Sequence, residues 1–130
     1  FINDSKATNV DSTVWALNNT LQPVILIAGG RDKNSDYKTI AGLINQKVKL
    51  MVLIGEAREK IRKALEGVLP MQEASSMEEA VRFGFKQARP GDCLLLSPMC
   101  ASFDMFDNYE HRGRVFKDAV RELKKEIINR

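Results

Sequence analysis

Histidine is nearly absent from this chain: His111 is the only one in 130 residues, and cysteine occurs only at Cys93 and Cys100. A single histidine confines any Ser-His-Asp triad to the polar stretch around His111, which argues against a serine hydrolase. Cys93, Cys100 and His111 have no recognisable zinc-ligand spacing, and no CxxC pair exists. Both cysteines read as reduced thiols of a cytoplasmic protein, with Cys93 serving as a small hydrophobe at the start of an apolar run. No apolar run reaches the ~18 residues of a membrane span, and no signal peptide is visible, so no membrane partner is expected. Phosphate loops are missing as well. There is no G-x-x-x-x-G-K-[ST], and the Gly29-Gly30-Arg31-Asp32-Lys33 stretch lacks the G-x-G-x-x-G spacing.

What is present is ordinary for one globular domain: 44% hydrophobic and 28% charged residues, with no low-complexity tract. The formal charge of +3 is mild. Basic and acidic residues alternate, as in residues 56–63 and 121–125, the pattern of solvated helix faces and not of a nucleic-acid footprint. No heptad seam is visible, so a monomer is expected. The chain opens on Phe1 and not on methionine, which points to a piece of a longer protein.

Apolar runs and amphipathic stretches alternate along the chain. Residues 24–28 (VILIA), 50–54 (LMVLI) and 93–96 (CLLL) each end in glycine or Ser-Pro, as strands buried on both faces do. Residues 1–2 and 68–71 are shorter strand candidates. Tyr37, Ile40, Ala41 and Ile44 keep helical spacing. Ala57, Ile61, Ala64 and Leu65 do the same, with Glu56/Lys60 and Glu59/Lys63 as outer i,i+4 pairs. Ser75 or Ser76 opens a capping box with Glu78 or Glu79 ahead of the helix that ends at Pro90-Gly91. A last helix carries Val115, Phe116, Ala119, Val120, Leu123 and Ile127 on one side. Strands alternating with helices of this length predict an α/β fold, with a mainly parallel sheet and helices on both faces. Ligands of such sheets gather at the carboxyl ends of the strands. Residues 29–36, 55–56 and 97–113 are therefore the functional loops, with residues 3–9 a further irregular stretch.

Each polar segment has a structural and a functional reading. Residues 3–9 (NDSKATN) suit a turn before a helix capped by Asn9 or Asp11, or else a place where Lys6 and the helix N-terminus face an anion. Residues 29–36 suit a strand-to-helix turn with Asp36 as the cap, which leaves Arg31 and Lys33 without a task. A lysine there is well placed for a substrate carboxylate, a contact worth about 1.5–3 kcal/mol. Residues 97–113 are longer than the 2–6 residues usual for such a connection. Phe103, Phe106 and Tyr109 read as an i,i+3 stripe packing a short helix onto the core, which leaves Ser97-Pro98 and Ala101-Ser102 unexplained.

Taken together, NDSKATN (3–9), GGRDK (29–33) and SPMCASFDMFDNYEHRG (97–113) resemble the C-terminal domain of the muramyl ligase family, in its D-glutamate-adding branch. The resemblance covers nearly the whole chain. It implies a Rossmann-like domain spanning residues 1–130, the third of three in a ligase whose other two hold the UDP sugar and ATP. Such an enzyme uses ATP and Mg2+ to make an acyl phosphate on UDP-MurNAc-L-alanine, which the amine of D-glutamate then attacks. Carried over by position, Lys33 pairs with a D-glutamate carboxylate and Thr8 assists. Ser102 meets the side-chain carboxylate, with Phe103 and Tyr109 lining that end. Many relatives have leucine and phenylalanine at those last two positions. Asp4 falls on the ATP side near the ribose, and Lys6, the catalytic lysine, near the transferred phosphate. No metal ligand is implied in this chain. The family's glycine-rich ATP loop, modified lysine and magnesium ligands have no counterpart here. A sister ligase with another amino-acid substrate, the folate polyglutamylation branch included, is the first rival. A non-catalytic α/β module sensing a small anion is the second.

Overall fold

The fold was analysed in a computed structural model, which describes residues 1–128. The elements follow in the order β1 (Ile2–Asn3), α1 (Val10–Asn18), β2 (Val24–Gly29), a 3-10 turn (Tyr37–Ile40), α2 (Ala41–Lys47), β3 (Val48–Ile54), α3 (Arg58–Ala64), β4 (Met71–Glu73), α4 (Met77–Gln87), β5 (Cys93–Leu96) and α5 (Tyr109–Ile128). All five strands are parallel, in the order β1-β5-β2-β3-β4. This is the expected Rossmann-like α/β sheet. The two- and three-residue strands β1 and β4 lie at its edges, so little unpaired backbone is left for another chain to join.

The apolar runs are continuous because both faces of the sheet are covered. Side chains alternate along a strand, so Leu26 and Ala28 face one layer while Ile25 and Ile27 face the other. The first layer adds Leu17 from α1, Tyr37 and Ile40 from the 3-10 turn, Ile44 from α2 and Ile61 from α3. The second adds Met77, Ala80 and Val81 from α4, and Phe116, Val120 and Leu123 from α5. Each fully buried side chain of this size contributes roughly 1.5–3 kcal/mol by leaving water.

Capping resolves the sequence alternatives. Asn9, not Asp11, caps α1 by accepting from the Ser12 amide at 2.8 Å. Ser76 caps α4 by accepting from the Glu79 amide, while the Glu79 carboxylate reaches back to the Ser75 amide at 3.1 Å. Asp36 caps the 3-10 turn through the Lys38 amide.

Four sequence expectations need correction. The stretch from Tyr37 to Ile44 is not one helix but a 3-10 turn followed by α2, because Asp36 accepts from the amide only two residues on and tightens the first turn. The fourth strand runs over Met71–Glu73 instead of residues 68–71, where it finds its partners on β3. The last helix starts at Tyr109, which shortens the long loop to residues 97–108, and of the aromatic stripe Phe103 and Phe106 lie in turns and bends while Tyr109 opens the last helix, so no separate short helix forms. Glu56 pairs with Arg31 at 3.6 Å and Lys60 with Asp32 at 2.7 Å, replacing the expected Glu56/Lys60 pair, whereas Glu59 and Lys63 do pair.

Gly29 is where the backbone leaves β2. Its φ is +120°, and a Cβ there would lie 2.0 Å from the Ile54 carbonyl oxygen of β3. Gly42 in α2 has nothing within 4 Å of its added Cβ. Gly29→Ala should therefore lower unfolding stability by at least about 2 kcal/mol. Gly42→Ala should raise it by roughly 0.5–1 kcal/mol. Both are read from urea midpoints, and equal shifts at the two positions would contradict the packing described at Gly29.

Candidate functional site

Backbone bonds sew three loops together where the strands end. The Asp4 amide donates to the Leu96 carbonyl at 2.7 Å, continuing the β1–β5 ladder past its last paired residue. Beyond it the Met99 amide donates to the Ala7 carbonyl at 3.0 Å. The Gly29 amide donates to the Pro98 carbonyl at 2.9 Å. Arg31 and Ala101 exchange two bonds, 2.8 and 3.2 Å, as an antiparallel bridge. The Ala57 amide donates to the Gly30 carbonyl at 2.8 Å and brings in the loop after β3. The chain start, the double-glycine turn and the late loop thus share one rim of the sheet.

A buried guanidinium reinforces this. Arg112 of α5 has no solvent exposure. Its Nε donates to Ser5 Oγ at 3.0 Å, Nη2 to the Ser5 carbonyl at 2.7 Å and Nη1 to the Cys100 carbonyl at 2.8 Å. Ser5 Oγ in turn donates to the Tyr109 carbonyl at 2.7 Å. No carboxylate pairs with Arg112 among the described residues. Burial therefore pushes its pKa down to about 10, an effect that the nearby Cys100 and Asp104 oppose. Asn3 adds a further tie, donating to the Gly113 carbonyl at 2.9 Å.

On the chain-start side, Ser97 Oγ donates to Asp4 Oδ2 at 3.2 Å and lies 2.9 Å from the buried Thr13 Oγ1. Burial raises the Asp4 pKa, and the Ser97 bond offsets part of that rise. Behind the double-glycine turn, Tyr37 Oη donates to Asp32 Oδ1 at 2.8 Å and lies 3.2 Å from Cys100 Sγ, while Lys60 holds the other Asp32 oxygen. Burial alone would raise the Asp32 pKa, but the bonds from Lys60, Tyr37 and the Asn34 backbone outweigh it and hold the carboxyl below its ordinary value. Burial also lifts the Cys100 thiol to about 11, so it stays a protonated thiol, not a nucleophile. Across the late loop, Asp104 Oδ2 accepts from the Glu56 amide at 2.8 Å.

The named site residues divide by exposure. Ser102 is buried beside the Ala101 bridge, and Thr8 is half-buried, its amide bonded to the Lys6 carbonyl at 2.9 Å. Lys6 and Lys33 are exposed and form no ion pair among the described residues. Asp4 and Lys6 line one hollow of about 280 Å³, and Lys6 and Tyr109 line another of similar size. Phe103 is 61% exposed and touches no ring among the described residues, whereas Phe106 packs on the second core layer. Backbone bonds bring the segments of Thr8, Lys33 and Ser102 together at the rim, and Lys33 reaches outward from it.

Sequence reasoning gave no polar role at the site to Arg112, Ser97, Thr13, Tyr37 or Asp104. Only Arg112 left a signal: it stands four residues before Phe116 on the α5 stripe that continues through Val120 and Leu123, a charge on a core-facing position. Contacts such as that between Ser97 and Asp4, 93 residues apart, are encoded by no local pattern.

Among the described residues no group of three or more His, Cys, Asp or Glu could hold a metal ion. The rim carboxylates are engaged separately, Asp4 by Ser97, Asp32 by Lys60 and Tyr37, and Asp104 by the Glu56 amide, so they form no set that fits Mg2+.

A parallel α/β sheet with two exposed lysines, Lys6 and Lys33, on the loops at its carboxyl rim has the architecture in which ligands gather at the strand ends. The Mur ligase, glutamate ligase domain family matches residues 1–100, and the chain belongs to that family. The chain is 53% identical over 123 residues to the UDP-N-acetylmuramoylalanine–D-glutamate ligase of Chlorobaculum parvum, a stretch covering 95% of the chain and 26% of that protein. It is 50% identical over 125 residues to the protein of the same name from Caldicellulosiruptor bescii, covering 95% and 27%. With the one from Salinibacter ruber it shares 45% over 124 residues, again 95% and 27%. The chain spans about a quarter of the length of these curated relatives. No described helix is long and apolar enough to cross a membrane.

Two outcomes are expected at the rim. Arg112→Met keeps most of the side-chain volume but strands the Ser5 and Cys100 carbonyls, and should cost about 2–4 kcal/mol in urea unfolding; an unchanged midpoint would show that the guanidinium bonds add nothing. Because the folded Asp32 pKa lies below its ordinary 3.8, the stability from its bonds is complete above that pH and lost as pH falls through the folded value. The stability gap between the natural chain and Lys60→Met should therefore narrow below about pH 4. A gap that stayed constant on acidification would remove Asp32 as the source.

Proposed function

We propose that this chain is the amino-acid-binding domain of an ATP-dependent, ADP-forming ligase that joins D-glutamate to UDP-MurNAc-L-alanine in peptidoglycan precursor synthesis in the cytoplasm. Family membership and the backbone bonds among the three loops support this reading, and those bonds are the observation that carries it. They hold one ammonium and two hydroxyls, Lys33, Thr8 and Ser102, on segments of a single rim.

In this proposal residues 1–130 act as the third domain of the ligase, with the UDP sugar, ATP and Mg2+ held mainly by the remainder of the enzyme. Lys33 meets one carboxylate of D-glutamate as a charge-assisted hydrogen-bond donor, and Thr8 donates beside it. Ser102 meets the side-chain carboxylate, while Phe103 and Tyr109 cover that end and exclude water. Excluding water serves an amide-forming site, because activated carboxylates hydrolyse. Asp4 and Lys6 face the nucleotide, Lys6 as the cation nearest the transferred phosphate. The molecule works as a monomer.

In the intact ligase, Lys33→Ala should lower kcat/KM for D-glutamate by about ten- to a hundredfold, equivalent to roughly 1.5–3 kcal/mol. The 130-residue chain by itself should show no turnover. Steady-state kinetics against a panel of amino acids checks both the residue and the substrate. A normal kcat/KM in the variant takes Lys33 out of the site, and preference for another amino acid points to a sister ligase.

A further inference from the structure

Trp15 is the only tryptophan of the chain, and 69% of it is exposed. Helix α1 buries Thr13, Ala16 and Leu17 against the sheet, so its core-facing side is already filled and the indole stands on the outer side. There it lines the hollow of about 280 Å³ that also contains Asp4, Lys6, Ala7 and Ser12. No ring or cation sits against the indole among the described residues, so its face is open. The polar groups beside it are only partly used. Asp4 Oδ2 accepts from Ser97, leaving Oδ1 without a partner among the described residues. Lys6 has no carboxylate partner, and the Ser12 hydroxyl no hydrogen-bond partner, among the described residues.

This combination has one chemistry in common. An indole face stacks on any nucleobase, since every base has a π-face. A carboxylate oxygen accepts from ribose hydroxyls. An ammonium meets a phosphate oxygen as a charge-assisted donor. We propose that Trp15 is the base-stacking platform of a nucleotide subsite in this hollow, with Asp4 taking the ribose and Lys6 the phosphates. The inference rests on the proposal that Asp4 and Lys6 face ATP, and it adds a residue that neither the sequence motifs nor the family match assigns. Stacking tolerates any base, so the platform contributes affinity for the nucleotide and little choice between adenine and guanine.

The test uses the intact ligase, with ATP and D-glutamate titrated separately. Trp15→Ala should raise KM for ATP by about ten- to a hundredfold and leave KM for D-glutamate within about twofold. Trp15→Phe, which keeps a stacking ring, should recover most of the loss. Adding ADP should also quench the part of the emission that the natural enzyme has and Trp15→Phe lacks. An unchanged KM for ATP in Trp15→Ala, with Asp4→Ala and Lys6→Ala raising it, overturns the role of Trp15 alone. No change in any of the three overturns the placement of ATP at this hollow as well. A joint rise in both KM values with a lowered melting temperature also overturns the proposal, because it would make Trp15 a packing contact within the enzyme.

Discussion

A guanidinium removed from water with no carboxylate paired to it among the described residues must be solvated by the protein, and each of the three Arg112 nitrogens donates to a backbone or hydroxyl oxygen of Ser5 or Cys100. The consequence is geometric. Ser5 lies between Asp4 and Lys6, and Cys100 lies two residues before Ser102, so one side chain of α5 sets the spacing between the chain start and the late loop. The cost of desolvation appears as a depressed pKa, which still leaves Arg112 charged at neutral pH. A carboxylate partner would have screened that charge and reduced its hold on the two carbonyls.

Around this tie the rim separates rigid from exposed groups. Ser97, Thr13, Ser102, Tyr37 and Cys100 are held in place by burial and short-range polar contacts. Lys6, Lys33, Trp15 and Phe103 project outward from elements that are themselves fixed. A ligand meeting such a surface finds groups whose backbone positions are settled in advance, which lowers the ordering cost of binding.

Legibility followed the range of the interactions. The three interior strands were visible because both sheet faces are covered, which makes each strand a continuous apolar run. The caps at Asn9, Ser76 and Asp36 were visible because a cap acts within three residues of itself. Misplaced boundaries arose where polar side chains, near or far in sequence, set a helix start. Helix α5 begins four residues before Gly113 because Asn108 accepts from the His111 amide at 2.7 Å and Ser5 engages the Tyr109 carbonyl, neither of which apolar spacing reports. The charge pairs shifted for a similar reason: Lys60 turned from its helix neighbour to Asp32, which the double-glycine turn places within 2.7 Å.

By itself the sequence determined the α/β class, the mainly parallel sheet, the cap candidates ahead of α1, α4 and the 3-10 turn, and the three motifs of the family resemblance, because each is written in residues close together in the chain. Tertiary structure alone decided which bonds join those motifs at the rim that the sequence pointed to, that Arg112 is buried between two of them, and that Trp15 opens onto the hollow of Asp4 and Lys6. These contacts join residues up to a hundred or so positions apart, as in Arg112 with Ser5. Their geometry comes from strand order and register, which the spacing of hydrophobic residues constrains only to a small set of alternatives.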